Sequence, residues 1–114
     1  MKKLFLLMVV LIFGTAVAKA DAPKKINLTY QDGKLKIEAL HRVKNANKHY
    51  IDEIVVKVNG EEVKTLQLNK QTSTSSQVSE IELPDIKKGD QTEVITRCNE
   101  FWSEKSQINP VKFN

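Results

Sequence analysis

Apolar and polar residues alternate along most of the chain beyond residue 25, which is the pattern of β-strands that bury one face. The first part of the chain contains two such runs, one at Ile26, Leu28 and Tyr30 and the other at Leu35, Ile37 and Ala39. The dipeptide Asp32-Gly33 between them is typical of a tight turn. The two runs therefore predict a β-hairpin.

A second hairpin is predicted in the middle of the chain. The β-branched positions Ile54, Val56 and Val58 precede Asn59-Gly60, the strongest short hairpin signal because a type I′ turn needs positive φ at both central positions. Residues 61–68 form the return strand, in which the spacing of Val63 and Leu66 breaks strict alternation and predicts a β-bulge. The preceding segment from His41 to Lys48 is polar, basic and unpatterned, which indicates a loop.

The rest of the chain continues the β pattern. We expect a solvated loop or edge segment at residues 69–76, a strand that ends before Pro84, a turn at residues 87–90 and a strand at residues 91–98. Ile108, Val111 and Phe113 predict a last short strand, with Pro110 at an edge or a bulge. About seven short strands without helical periodicity predict one all-β domain, a β-sandwich.

Residues 1–20 resemble an export signal. Lys2 and Lys3 precede the apolar run Leu4 to Val17, and Ala18-Lys19-Ala20 offers a small-residue cleavage site. Cleavage after Ala18 or an uncleaved anchor are the alternatives, although the run is shorter than the roughly 20 apolar residues of a membrane span. We expect an exported domain comprising residues 21–114, in the periplasm, with secretion from the cell as the alternative.

The charge balance changes once the signal is removed. The chain has 18 basic and 14 acidic residues, and without Lys2, Lys3 and Lys19 the balance is 15 against 14. The high pI therefore belongs largely to the signal, and no electrostatic footprint for nucleic acid or a membrane surface remains.

Candidate chemistry is confined to the two histidines and the single cysteine of the chain, His41, His49 and Cys98. One cysteine cannot form an internal disulfide, so it is a free thiol, an intermolecular bridge in a possible homodimer, or a metal ligand. Imidazole and thiolate together are ligands of borderline metals. If the three bind a metal, the imidazole nitrogens should lie roughly 3–5 Å from the sulfur. The alternative is that the histidines are surface residues and Cys98 is an inert buried side chain.

Three stretches carry a resemblance to a known family: HYIDEIVV at His49 to Val56, NGEEVKTLQL after it, and KKGDQTEVITRCNEFW at Lys87 to Trp102. They resemble the iron-binding domain of the desulfoferrodoxin and superoxide reductase family. The resemblance implies an immunoglobulin-like β-sandwich that holds ferrous iron with four imidazoles and one axial thiolate and reduces superoxide with electrons from an external donor. It implies that His41 and His49 are imidazole ligands and that Cys98 is the axial thiolate.

The sequence departs from the family pattern at several positions. No histidine occurs in residues 21–40, and Phe101-Trp102 stands where the family has a histidine and a glycine before tryptophan. Three of the five ligands remain, so the metal site has a smaller or altered ligand set. Zinc, copper or no metal are therefore alternatives to iron. The competing function is a non-catalytic binding module, such as a sulfur-oxidation carrier subunit, that acts through a partner protein.

Overall fold

The computed structural model describes residues 23–100 and 103–114. The predicted signal peptide and Trp102 lie outside this part of the chain. The described residues form eight strands: β1 (Lys25–Gln31), β2 (Lys34–Leu40), β3 (Ile51–Val58), β4 (Glu61–Gln67), β5 (Ser76–Glu82), β6 (Thr92–Cys98), β7 (Glu104–Ile108) and β8 (Val111–Phe113).

The strands form two four-stranded sheets, with the orders β5-β2-β1-β8 and β4-β3-β6-β7. All neighbouring strands are antiparallel except β1 and β8, which are parallel. Strands β3, β6 and β7 share one sheet, and strands β1, β2 and β5 share the other, as in immunoglobulin-like sandwiches. The predicted all-β sandwich is therefore confirmed, and no helix that could cross a membrane occurs in the described residues.

Both predicted hairpins have the expected turns. Asp32 and Gly33 have φ values of 53° and 74°, and Asn59 and Gly60 have φ values of 52° and 84°. Positive φ at both central positions is the property of a type I′ turn, whose twist suits the flanking strands. The bulge predicted in the second hairpin is also present, because Val56 pairs with Lys64 while Lys57 pairs with Glu62, leaving Val63 as the extra residue.

The core lies between the two sheets and is built from the alternating apolar positions. Ile54 and Val56 of β3, Leu35 and Ile37 of β2 and Val94 of β6 are fully buried. Each of these strands is paired on both sides, so side chains on its inner face are enclosed from every direction. Removing this apolar surface from water stabilises the sandwich by about 25 cal/mol per Å².

The predicted end of the chain is wrong in one respect. Ile108 does not share a strand with Val111 and Phe113; it ends β7, its side chain is 47% exposed, and β8 follows after Pro110. Strand β7, with the sequence EKSQI, pairs with β6 along the edge of the second sheet. Because a polar edge strand buries little apolar surface, alternation gave no signal for it, and the number of strands is eight instead of about seven.

Candidate metal centre

One end of the sandwich gathers the three candidate ligands. His41 directly follows β2, and the loop after it leads to His49, two residues before β3 begins. Cys98 is the last residue of β6, and it pairs with Ile51 at the start of β3. Because β3 and β6 are antiparallel, the start of one strand lies beside the end of the other, and this places His49 near Cys98 despite 49 residues of separation.

The ligand atoms of the three residues lie within 4.8 Å of one another. His49 Nε2 is 3.0 Å from Cys98 Sγ. The imidazole rings of His41 and His49 meet edge to face, with centroids 4.9 Å apart and an interplanar angle of 90°. The proximity expected from the sequence is therefore present. We refer to His41, His49 and Cys98 as the metal triad.

His41 is only 3% exposed, so its interpretation as a solvated surface residue is wrong. Its backbone N–H donates to the carbonyl of Ser75, 3.0 Å away. Its ring Nδ1 lies 2.7 Å from Oε1 of Gln71. Gln71 is itself buried, with 4% of its surface exposed. Backbone and ring are thus both held, which fixes the direction of the imidazole.

His49 is held by a clamp formed around Asn99, the residue after Cys98. Oδ1 of Asn99 accepts the backbone N–H of Tyr50 at 2.9 Å, and its Nδ2 donates to the carbonyl of Lys48 at 2.9 Å. The backbone N–H of Asn99 also donates to the Tyr50 carbonyl. One side chain therefore bonds to the residues on both sides of His49 and fastens them to the end of β6.

Asn99→Ala tests this clamp. We expect a loss of about 1–2 kcal/mol in the free energy of unfolding, because the substitution leaves a partly buried N–H without its acceptor. Urea unfolding measures the loss. Asn27→Ala is the matched control, since the described side-chain bond of Asn27 joins it to Glu38 within the other sheet. Equal stability losses in the two variants would contradict the clamp.

A β-bulge near the start of β3, next to the metal triad, changes which side chains of the strand point into the core. Ile51 pairs with Cys98 and Glu53 with Arg97, so Asp52 is the extra residue. The carboxylate of Asp52 accepts two bonds from the Arg97 guanidinium, at 3.0 and 3.2 Å, and these bonds raise the pKa of Arg97. Bulges commonly redirect side chains beside functional sites, and here the bulge buries both Ile51 and Ile54.

Cys98 is fully buried, and the residues after it turn back towards its sulfur. The backbone N–H of Glu100 donates to Sγ at 3.4 Å, a contact that stabilises negative charge on sulfur. The carboxylate of Glu100 lies 3.9 Å from Nδ1 of His49. Nδ1 is the ring nitrogen other than the one beside the sulfur, so the carboxylate approaches the nitrogen that the sulfur does not, at a distance longer than a hydrogen bond.

The donor set fits one transition-metal ion. Two imidazoles and a thiolate suit zinc, copper or ferrous iron. The set does not fit the five-ligand iron centre of superoxide reductases, because the chain has only two histidines. Further positions around an ion would need a carboxylate, a backbone group or water.

Sequence reasoning did not identify two supporting residues, Gln71 and Asn99. Gln71 lies in a polar segment that reads as a solvated loop, and nothing in its neighbours signals burial. Asn99 follows Cys98 in the family-like segment, where its sequence position alone gives no bonding partner. Both act on residues distant in the chain, so only the tertiary structure gives them a role.

No protein-family model matches this chain. No curated protein matches it either.

Proposed function

We propose that the protein is an exported, single-domain metalloprotein that binds one transition-metal ion through His41, His49 and Cys98. The observation that carries the proposal is the clustering of the three ligand atoms within 4.8 Å at one end of the sandwich. These are the only histidines and the only cysteine of the chain. Random placement of three such residues would seldom bring all of them together.

We further propose that the centre is related to the superoxide reductase iron site but has fewer protein ligands, and that iron is the resident metal. The segments around His49 and Cys98 resemble that family, and the roles that the resemblance implies for these residues agree with their neighbourhood in the fold. Iron held by these residues would supply a one-electron redox couple. The chain itself contributes orientation of the imidazoles and burial of the thiolate, and a separate protein would donate electrons in the periplasm.

Metal analysis of the purified protein tests the proposal. We expect about one iron per chain in the wild type, and loss of that metal in His49→Ala because one of three ligands is gone. Asn47→Ala is the control, since Asn47 is an exposed residue of the same loop whose described bond uses its backbone N–H. Superoxide consumption by the reduced, iron-loaded wild type then tests the redox part.

Two results would count against the proposal in different ways. Stoichiometric zinc or copper in place of iron would retain the metal centre and reject the relation to the iron enzymes. A folded wild type that binds none of these metals would reject the centre itself and favour a non-catalytic binding module that acts through a partner protein.

A further inference from the structure

Gln71 makes a two-point contact with His41. Its Oε1 lies 2.7 Å from the ring Nδ1 of His41, and its Nε2 donates to the backbone carbonyl of the same residue at 2.7 Å. Nε2 donates a second time, to the carbonyl of Ser73 at 2.9 Å. The backbone N–H of Gln71 donates to the carbonyl of Ala46, so the contact also joins two loops.

The two carbonyls determine which way the amide of Gln71 faces. A carbonyl oxygen only accepts hydrogen bonds, so the group that faces His41 O and Ser73 O must be the NH₂. The opposite orientation would place three oxygens against one another in a buried position. Oε1 therefore faces Nδ1 of His41, and because this oxygen can only accept, Nδ1 carries the proton.

The position of that proton decides which nitrogen can bind a metal. In a neutral imidazole the proton sits on one nitrogen and the lone pair on the other. With Nδ1 protonated, the lone pair of His41 lies on Nε2. The second hydrogen bond, from Nε2 of Gln71 to the backbone carbonyl of His41, holds the amide in place, so that its Oε1 stays against Nδ1 of the ring.

We propose that Gln71 is the positioning residue of the metal triad, which selects Nε2 of His41 as the ligand atom and holds the ring that carries it. This inference rests on the proposed metal-binding function and adds a residue and an atom to it. Supporting partners of this kind fix the tautomer and raise the basicity of metal-bound histidines.

The test compares Gln71→Met with Gln77→Met. Methionine keeps the length and linear shape of glutamine and removes its hydrogen-bonding groups. Gln77 is the matched control because it is equally buried, at 4% exposure, and bonds to the backbone of Thr72 and Val78 and to the hydroxyl of Ser79. Both substitutions therefore remove a buried amide from the same region of the fold.

Two measurements are made on the purified protein. Nitrogen-15 NMR of the metal-free form at pH 8, where imidazole is ordinarily neutral, reports which nitrogen of His41 carries the proton. Titration with Co²⁺, followed through thiolate-to-cobalt absorption, gives the metal affinity. The first measurement needs no variant, so it decides the tautomer even if Gln71→Met does not fold.

We expect the Nδ1-protonated tautomer in the wild type and its loss in Gln71→Met. The affinity of that variant for Co²⁺ should fall about 10- to 100-fold, the usual effect of removing such a partner. Gln77→Met should stay within about twofold of the wild type, because none of the described hydrogen bonds of the Gln77 side chain reaches His41, His49 or Cys98.

Protonation of His41 at Nε2 in the wild type would overturn the inference. So would wild-type affinity in a folded Gln71→Met, or an equal loss in Gln77→Met, which would indicate a general effect on folding. Failure of the wild type to bind Co²⁺, iron, zinc or copper is a different result, because it rejects the metal centre regardless of the tautomer.

Discussion

Cys98→Ser should lower the metal affinity of the protein by roughly 100- to 1,000-fold. Structural zinc sites with four ligands bind with about 10–16 kcal/mol, or about 2.5–4 kcal/mol per ligand, and each 1.4 kcal/mol is a factor of ten. The thiolate is the softest of the three candidate ligands, and a serine hydroxyl replaces it poorly. The buried position of Cys98 keeps water from taking its place easily.

Competition with a chelator of known affinity measures this loss. Thr96→Ser is the control, because Thr96 is fully buried on the same face of β6 two residues earlier, and its substitution also leaves a buried hydroxyl. Added metal should raise the melting temperature of the wild type and of Thr96→Ser, but not that of Cys98→Ser. Unchanged affinity in Cys98→Ser would mean that the sulfur is not a ligand.

The second large effect concerns the core. Ile54→Ala should lower the free energy of unfolding by about 2–5 kcal/mol, because it removes apolar contacts and leaves a cavity where the side chain is fully enclosed. Ile54 lies on β3, between Leu66 of β4 and Thr96 of β6. The melting temperature should fall by more than about 10 °C for a domain of this size.

Ile108→Ala is the matched control for the core, since the same side chain is 47% exposed at the end of β7. Its effect should stay within about 0.5 kcal/mol. Calorimetry of both variants measures the difference. Similar melting temperatures for the two would contradict a core centred on β3.

Local signals were enough to predict most of the strands. Asn59-Gly60 and Asp32-Gly33 favour turns with positive φ wherever they occur, so the hairpins around them follow from a few neighbouring residues. The alternation in β1, β2 and β3 identified the buried faces, because side chains in a strand point to opposite sides in turn. Strand β7 has a polar sequence, and its pairing with β6 depends on a partner that its own residues do not indicate.

The candidate ligands could also be selected from the sequence, but their support could not. His41, His49 and Cys98 stand out by residue type alone. The burial of His41 depends on residues of the 69–75 loop that cover it, chiefly Gln71. The extra residue at Asp52 also gave no sequence signal, because Ile51 and Ile54 are three positions apart and bury together only through the bulge.

The amino-acid sequence by itself determined that this protein is an all-β domain, where its hairpins turn, and which three side chains are capable of binding a metal. These properties depend on residue type and on periodicity over a few positions. The tertiary structure alone decided that His41 is buried, that β3 and β6 bring His49 to Cys98, that Gln71 holds the imidazole of His41, and that Asn99 holds the backbone on both sides of His49. Such contacts join residues 30 to 51 positions apart. They exist only because antiparallel pairing and sheet packing place distant strand ends at the same end of the sandwich.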